Sequence, residues 1–333
     1  MQPKTIESVD LVHSNGTRAT ILTYGAALQD LQVPAPEGRR RVVLGFADPA
    51  LYPEHSPHFG AIPGRYANRI GRGRFTLDGI SYQLDLNQHG KHHLHGGSRG
   101  FGKSIWQVRG LSETHVTLGF DSPDGDMGYP GRAQVSVTYR LTEMAGLAVE
   151  IEAEVDKPCP INLCNHAYFN LADAGRGSIR DHLLEIDADA YTEIDADLIP
   201  TGRNLPVDGT PWDFRKQRPI RAFDRENGVH HYDHNFVLRG ADGSFRRVAR
   251  LSAPDGDLAM EVWTTQPGVQ FYDGMKVAPE PEGLDGVRYG AFSGLCLETQ
   301  HFPDSPNHPA FPSTILRPGE HYSQRTEFRF ASA

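Results

Sequence analysis

Only three cysteines occur in the 333 residues, at 159, 164 and 296, an odd number with no CxxC spacing. A disulfide framework and a thiolate zinc site are therefore not expected, and a reducing compartment fits. No stretch approaches the roughly 18–20 uncharged apolar residues of a membrane-spanning helix. The first ten residues, MQPKTIESVD, lack the apolar core of a signal peptide. Basic residues are also in deficit: 33 Lys and Arg stand against 42 Asp and Glu, a net charge of −9. Nucleic acid, whose phosphates call for a basic surface, is not an expected partner. GxSxG is absent, so an acyl-enzyme is not suggested, and so are the glycine spacings of a phosphate loop. Long helical periodicity is missing too, with segments such as 223–227 offering a single turn at most. No period of 20–50 residues repeats. These absences point to a soluble, mildly acidic, cytoplasmic protein with no membrane partner.

What the chain has in quantity is turn formers, 35 Gly and 24 Pro. They cut it into short pieces, which favours strands over long helices. Several pieces alternate with period two. Val116, Leu118 and Phe120 share one face of their segment. Val135, Val137, Tyr139 and Leu141 do so in the next, and Leu147, Val149, Ile151, Ala153 and Val155 in a third. Short connections between the three predict an antiparallel meander. Asn15-Gly16 is a type I′ hairpin signal near the start. Tyr322, Thr326, Phe328 and Phe330 fall on one side of a closing strand, and 302–318 reads as an ordered loop leading into it. The acidic stretch 181–197 carries seven carboxylates, but Leu184, Ile186, Ala188 and Ala190 alternate with acids. That pattern is one dry and one wet face of a strand rather than a calcium loop. The fold class is all-β, a large antiparallel sandwich.

Histidine is the conspicuous polar residue, 16 in all. His93 and His95 on a strand would present both rings on one face, as in metal-binding barrels. A carboxylate should then follow, and GGSRG follows instead, so a polar loop with surface imidazoles is the better reading of His89, His92, His93 and His95. His230, His231 and His234 lie beside Asp233 without an HExxH arrangement, and a solvated loop is again preferred. Asn68-Arg69 offers a fork of donors suited to hydroxyls or a carboxylate. His166 is flanked by Asn165, Tyr168 and Asn170 in an otherwise apolar segment, where a satisfied core histidine is the commoner outcome. Glu298 sits in the apolar run LCLETQ. Such a carboxyl is hydrogen-bonded, shifted in pKa, or turned outward, and outward is the default for an alternating strand.

Eight stretches taken together resemble the aldose 1-epimerases: GRYANRI at 64–70, LHGGSRGF at 94–101, DGDMGYPG at 124–131, NHAYFNL at 165–171, YDHNFVL at 232–238, TTQPGVQFY at 264–272, GLCLETQHF at 294–302 and LRPGE at 316–320. They occur in the family's order across nearly the whole chain, which implies one domain over 1–333 and the family's large antiparallel β-sandwich. The resemblance implies interconversion of the α and β anomers of free aldoses such as galactose and glucose. It assigns Glu298 as catalytic base and His166 as acid. Asn68, Arg69, His95, Asp233 and Gln270 are implied to hold sugar hydroxyls, with Tyr168 beside the acid. No cofactor and no metal are implied, and the partner is a small monosaccharide. The segment 273–293 matches less well and leaves the pocket rim open.

The chemistry wants such a pair. Breaking the C1–O5 bond requires a proton to leave the C1 hydroxyl while another reaches the ring oxygen. A carboxylate of ordinary pKa, about 4.3, is ionised at pH 7, and an imidazole near 6.5 is about one quarter protonated. Phe271 is the aromatic candidate to face the sugar's C–H surface. Rival readings are a glycoside hydrolase using Glu298 with Asp233, a non-catalytic sugar-binding module, and a sugar-phosphate 1-epimerase, which would need a basic pocket.

Overall fold

The computed structural model describes residues 5–224 and 228–332. Strands dominate it. The longest α-helix among the described residues is four residues, Tyr52–His55, and no helix is long and apolar enough to cross a membrane. Of the turn expected at 223–227, residues 225–227 lie outside the described residues, and a 3₁₀ turn at Ile220–Phe223 ends where it would begin.

The expected meander forms the heart of a nine-stranded antiparallel sheet. His115–Ser122 pairs with Ala133–Thr142, which pairs with Gly146–Val155. In register, Leu118 lies opposite Val137 and Val137 opposite Ile151. The apolar positions that alternate in sequence thus line up across three strands and bury one continuous face. The closing strand, Tyr322–Ser332, pairs with Gly146–Val155 on one side and Leu258–Thr264 on the other. The loop before it is ordered, with Phe302 and Phe311 buried edge to face.

A five-stranded antiparallel sheet carries the functional side chains, in the order Pro200–Pro206, Ala188–Ile194, Asp233–Leu238, Gly268–Tyr272, Cys296–Gln300. Strand alternation sorts its residues. Asn235, Gln270 and Glu298 are direct cross-strand partners and share a face with Asp233, Tyr272 and Cys296. The other face holds Phe236, Val269, Phe271 and Leu297, all in the core. On this side the Thr299 hydroxyl meets that of Thr326 on the closing strand at 2.5 Å, so the two sheets pack together here.

Two local expectations change. Ser8–Val12 and Arg18–Leu22 do form a hairpin, but Val12 pairs with Arg18, leaving a five-residue loop rather than a two-residue I′ turn. Of the Asn-Gly pair only Gly16 is left-handed (φ +94°). Asn15 instead donates its side-chain amide to the Thr142 carbonyl at 3.1 Å, and that long-range bond selects the longer loop. The acidic stretch is two strands, not one. Leu183–Ile186 belongs to the nine-stranded sheet and Ala188–Ile194 to the five-stranded sheet. The chain changes sheets at Asp187, which donates its amide to Val248 and accepts from Arg239.

Leu118→Ala should lower unfolding free energy by roughly 2–5 kcal/mol, because its fully buried side chain leaves a cavity. Ile80→Ala, at a position 58% exposed, should change it by less than about 0.5 kcal/mol. Urea denaturation of both variants checks the contrast.

Candidate active site

Three loop segments cover the polar face of the five-stranded sheet, and each is held by its own sequence. Asn165 and Asn170 bracket His166. The Asn165 amide donates to the Gly60 carbonyl (2.9 Å) and the Tyr139 hydroxyl (3.1 Å), while its carbonyl accepts from the Ala167 amide. Asn170 accepts from the Ala172 amide and donates to the Ser293 carbonyl. His166 itself exchanges backbone hydrogen bonds with Gly60 and Ala61, bringing His58 against it.

The GRYANRI and LHGG stretches meet as a short antiparallel pair, Arg69 opposite Leu94 and Ile70 opposite His93. Asn68 accepts from the His95 amide and donates its own amide to His95 Nδ1 at 3.1 Å. His95 and Gly96 both have left-handed φ, +50° and +82°. A Cβ on Gly96 would lie 1.6 Å from the Gly64 carbonyl oxygen, so only glycine lets the two stretches touch. The DGDMGYPG loop stands behind them. Buried Arg65 donates to the Pro130, Gly131 and Pro123 carbonyls, and the Tyr129 hydroxyl sits 2.7 Å from His93 Nε2.

Together these elements enclose a cavity of about 380 Å³. Glu298, His166, Asn68, Arg69, His95, Tyr168 and Asp233 all line it. The carboxyl Oε1 of Glu298 is 3.7 Å from His166 Nε2, although 132 positions separate the two residues. Both are almost wholly buried, 2% and 4% exposed. Glu298 therefore does not turn outward, and Asn68-Arg69 is not a surface fork but a buried pair. The Arg69 guanidinium approaches Asp233 at 3.8 Å and donates to Gln88 at 3.2 Å. Gln270 stands one step back from the cavity and donates its amide to Asp233 Oδ1 at 2.6 Å. Tyr168 stacks on His166 with centroids 5.1 Å apart and donates its hydroxyl to the Pro57 carbonyl.

Burial sets the protonation. Desolvation, then the charge of Asp233, pushes the Glu298 carboxyl up to about 8. Desolvation pulls His166 down to about 4. The ordinary values assumed from sequence are thus reversed in order, because neither group keeps the water that would stabilise its charge. His95 is likewise held neutral, by burial and by the neighbouring His58 and His166.

Other corrections concern aromatics and histidines. Phe271 faces the core, stacked on Tyr232 at 5.1 Å, and cannot meet a sugar in this cavity. Its neighbour Tyr272, on the cavity face, lines the wall instead. The 89–95 histidines are not a set of surface imidazoles, since His92 and His93 are buried. Nor do His93 and His95 share a strand face, the strand being only His93–Leu94. His230 and His234 are not fully solvated either; both rings stand edge-on to Trp212. His58 carries no sequence motif, yet its ring lies 4.7 Å from His95 and 5.6 Å from His166. Lys276 and Val277 of the unfamiliar 273–293 segment form part of the rim.

One atom of each of His95, His166 and Glu298 lies within 4.8 Å of the others, a separation compatible with a metal ion. The donor chemistry does not fit. His95 Nδ1 already accepts the Asn68 amide proton, so the neutral ring keeps its hydrogen on Nε2 and serves as a donor. Two ligands remain, fewer than the three or four a zinc site uses.

A family model described as aldose 1-epimerase matches residues 7–329. The chain belongs to the aldose 1-epimerase family. It is thus an isomerase that interconverts the anomers of an aldose. A galactose mutarotase of Sus scrofa is 43% identical over 331 residues, covering 99% of this chain and 95% of the relative. The aldose 1-epimerase of Escherichia coli K12 is 39% identical, covering 96% and 94%. A crystal structure of an aldose epimerase homologue from C. elegans superimposes with TM-score 0.92 at 30% identity, covering 99% of this epimerase and 100% of that chain.

Gly96→Ala should cost more than about 1 kcal/mol, through left-handed strain and collision with the Gly64 carbonyl. A lowered thermal midpoint together with slower anomer exchange is the expected outcome, read by calorimetry and polarimetry.

Proposed function

We propose that Glu298 and His166 carry the anomer exchange, acting on a free pyranose held in the cavity. The observation that supports this is their separation of 3.7 Å, both buried, in a space sized for a small ligand. Glu298 takes the proton of the C1 hydroxyl. The O–H electrons become the second bond of the C1 carbonyl, C1–O5 breaks, and O5 receives a proton from His166. The open aldehyde turns about C1–C2. The same transfers in reverse close the ring on the other face of C1, so no reagent is consumed.

At pH 7 the pair holds one proton between its two members, given a carboxyl near 8 and an imidazole near 4. The working form, carboxylate with imidazolium, carries that same single proton in the other place. Arg69, whose charge lowers Glu298, and the sugar hydroxyls that replace water favour the ionised carboxyl. His95 Nε2–H, Arg69, Asn68 and Asp233 supply donors and acceptors for the remaining hydroxyls, leaving C1 free to turn. The name of the pig relative, galactose mutarotase, favours galactose as a substrate.

A hydrolase would need Asp233 as a second working carboxyl. Its two oxygens are engaged by Gln270 and Arg69, which suits holding a hydroxyl rather than moving a proton. A phosphate-bearing substrate is not favoured either, since Arg69 is already paired with Asp233, which leaves Lys276 as the single unmatched cation among the lining residues.

Glu298→Gln and His166→Asn should each slow the polarimetric relaxation of fresh α-D-galactose by about 10²–10⁴-fold. A variant that keeps full rate removes its residue from the mechanism. Asp233→Ala should chiefly raise KM, and no aryl galactoside should be cleaved.

The pH dependence of kcat/KM should be a broad bell. Below about 4 the pair gains a second proton and loses its base; above about 8 it loses its only proton and with it the acid. A profile controlled by ordinary pKa values, with the acid side near 4.3 and the alkaline side near 6.5, would contradict the reversed order.

A further inference from the structure

The two reacting side chains share an unusual kind of support. Glu298 Oε2 accepts from the Cys164 thiol at 3.6 Å. His166 Nδ1 lies 3.5 Å from the Cys296 sulfur. Among the described residues these are the only side-chain hydrogen bonds made by either group. The arrangement is crossed: Cys164 lies two residues before His166 but supports Glu298, and Cys296 lies two residues before Glu298 but supports His166. The backbone explains the crossing, because the two segments run antiparallel, bridged at Phe169 and Leu295. All three cysteines are free and buried, yet among the described residues Cys159 hydrogen-bonds only with Arg65 and its own neighbour's carbonyl, away from the pair.

The geometry points to Cys164 and Cys296 as positioning residues that set which atom of each catalytic group faces the sugar. This deepens the proposed roles of Glu298 and His166 and rests on them. In the resting, neutral ring a thiol donating to His166 Nδ1 leaves the hydrogen on Nε2, the nitrogen that faces Glu298 and the substrate. In the working imidazolium Nδ1 carries the added proton and donates to the Cys296 sulfur instead, so the Nε2 hydrogen can leave without forming an imidazolate. A thiol donating to Glu298 Oε2 leaves Oε1 free for the anomeric hydroxyl. Both thiols stay protonated and able to donate, since burial and the Glu298 charge hold them well above their usual range.

A weak donor suits the task. The carboxyl must pass between charged and neutral in each half-reaction, and a strong hydrogen bond to the charged form would hold it there. The other groups acting on Glu298 are Asp233, which raises its pKa, and Arg69, which lowers it. For His166 they are Asp233, whose charge raises it, and the packed rings of His58, His95 and Tyr168. None of these occupies Oε2 or Nδ1, so the thiols are the groups that distinguish the two atoms of each pair.

The test uses the full chain. Cys164→Ser, with a stronger donor, should move the alkaline limb of kcat/KM down, and Cys164→Ala, with none, should move it up. Cys296→Ala should lower kcat about 3–10-fold with KM nearly unchanged, and Cys296→Ser should restore part of it. Cys159→Ser, as control, should leave both limbs in place. ¹⁵N NMR of histidine-labelled wild-type protein should show His166 with its hydrogen on Nε2, a readout that needs no variant to fold. Limbs unmoved in both Cys164 variants, or a hydrogen on Nδ1, would overturn the inference. If Glu298→Gln and His166→Asn keep full activity, the parent reading fails instead, and the two failures are told apart.

Discussion

A carboxyl and an imidazole held 3.7 Å apart out of water are the constraint around which the rest of this molecule is arranged. Dehydration alone would make each group discard its charge, and the shifts of Glu298 and His166 in opposite directions are that tendency made visible. A site that needs one of them charged at the moment of reaction must return, through fixed donors, part of what dehydration removed. Arg69 does so from one side, and in the proposed mechanism the sugar's hydroxyls do so when they enter. Glu298 stands on the edge strand of the five-stranded sheet, but Gln270 lies directly opposite it on one side and the His166 segment is bridged to the strand's start at Phe169 and Leu295 on the other, which prevents it from relaxing toward solvent. Bracketing His166 between two asparagines that spend their side chains on backbone groups does the same for the loop partner.

Most of the motif residues stand outside the cavity lining. The 124–131 loop ends in carbonyls that receive the buried Arg65 guanidinium, and LRPGE closes a turn in which Arg317 and Glu320 bond each other. Loops that wall a cavity cannot satisfy their backbone with a sheet ladder, so long side chains must do it. That requirement explains how a stretch can be distinctive in sequence and yet stand behind the cavity wall. Gln270 is the intermediate case, touching Asp233 rather than the space itself.

Local periodicity made the meander and the closing strand legible, because alternation is a property of neighbours along the chain. It also contained the correct choice between Phe271 and Tyr272: Gln270 and Tyr272 share parity, and Phe271 does not. What alternation could not reveal is which side of a strand is covered and by what. Glu298 reads as outward from CLETQ alone, and the loops at 57–70 and 161–171 bury it. The sheet change at Asp187 was hidden for the same reason, since apolar alternation continues across the break while the pairing partners change from Ala249 to Leu238. The histidines at 92 and 93 look like a polar loop until Tyr129 closes on His93 and the Arg72 amide donates to His92 Nδ1. His58 had no signal at all, being placed by backbone bonds between Gly60, Ala61 and His166 that no spacing announces.

Substrate and product here differ only in configuration at C1, so tight binding of either ground state brings no rate. The useful interactions are those that strengthen while the ring is open and C1 is turning. In the proposed mechanism, hydroxyl contacts from Arg69, Asn68, Asp233 and His95 fall on the part of the sugar that does not move, and they can be equal for both anomers. The reacting end is left to two groups that exchange one proton between them and finish as they began. Strong permanent hydrogen bonds on either group would favour one half of that exchange over the other. A dry pocket in which the carboxyl and imidazole are supported only by weak neighbours keeps the two halves close in energy. That keeps the open-chain intermediate from becoming a trap on the way from either anomer.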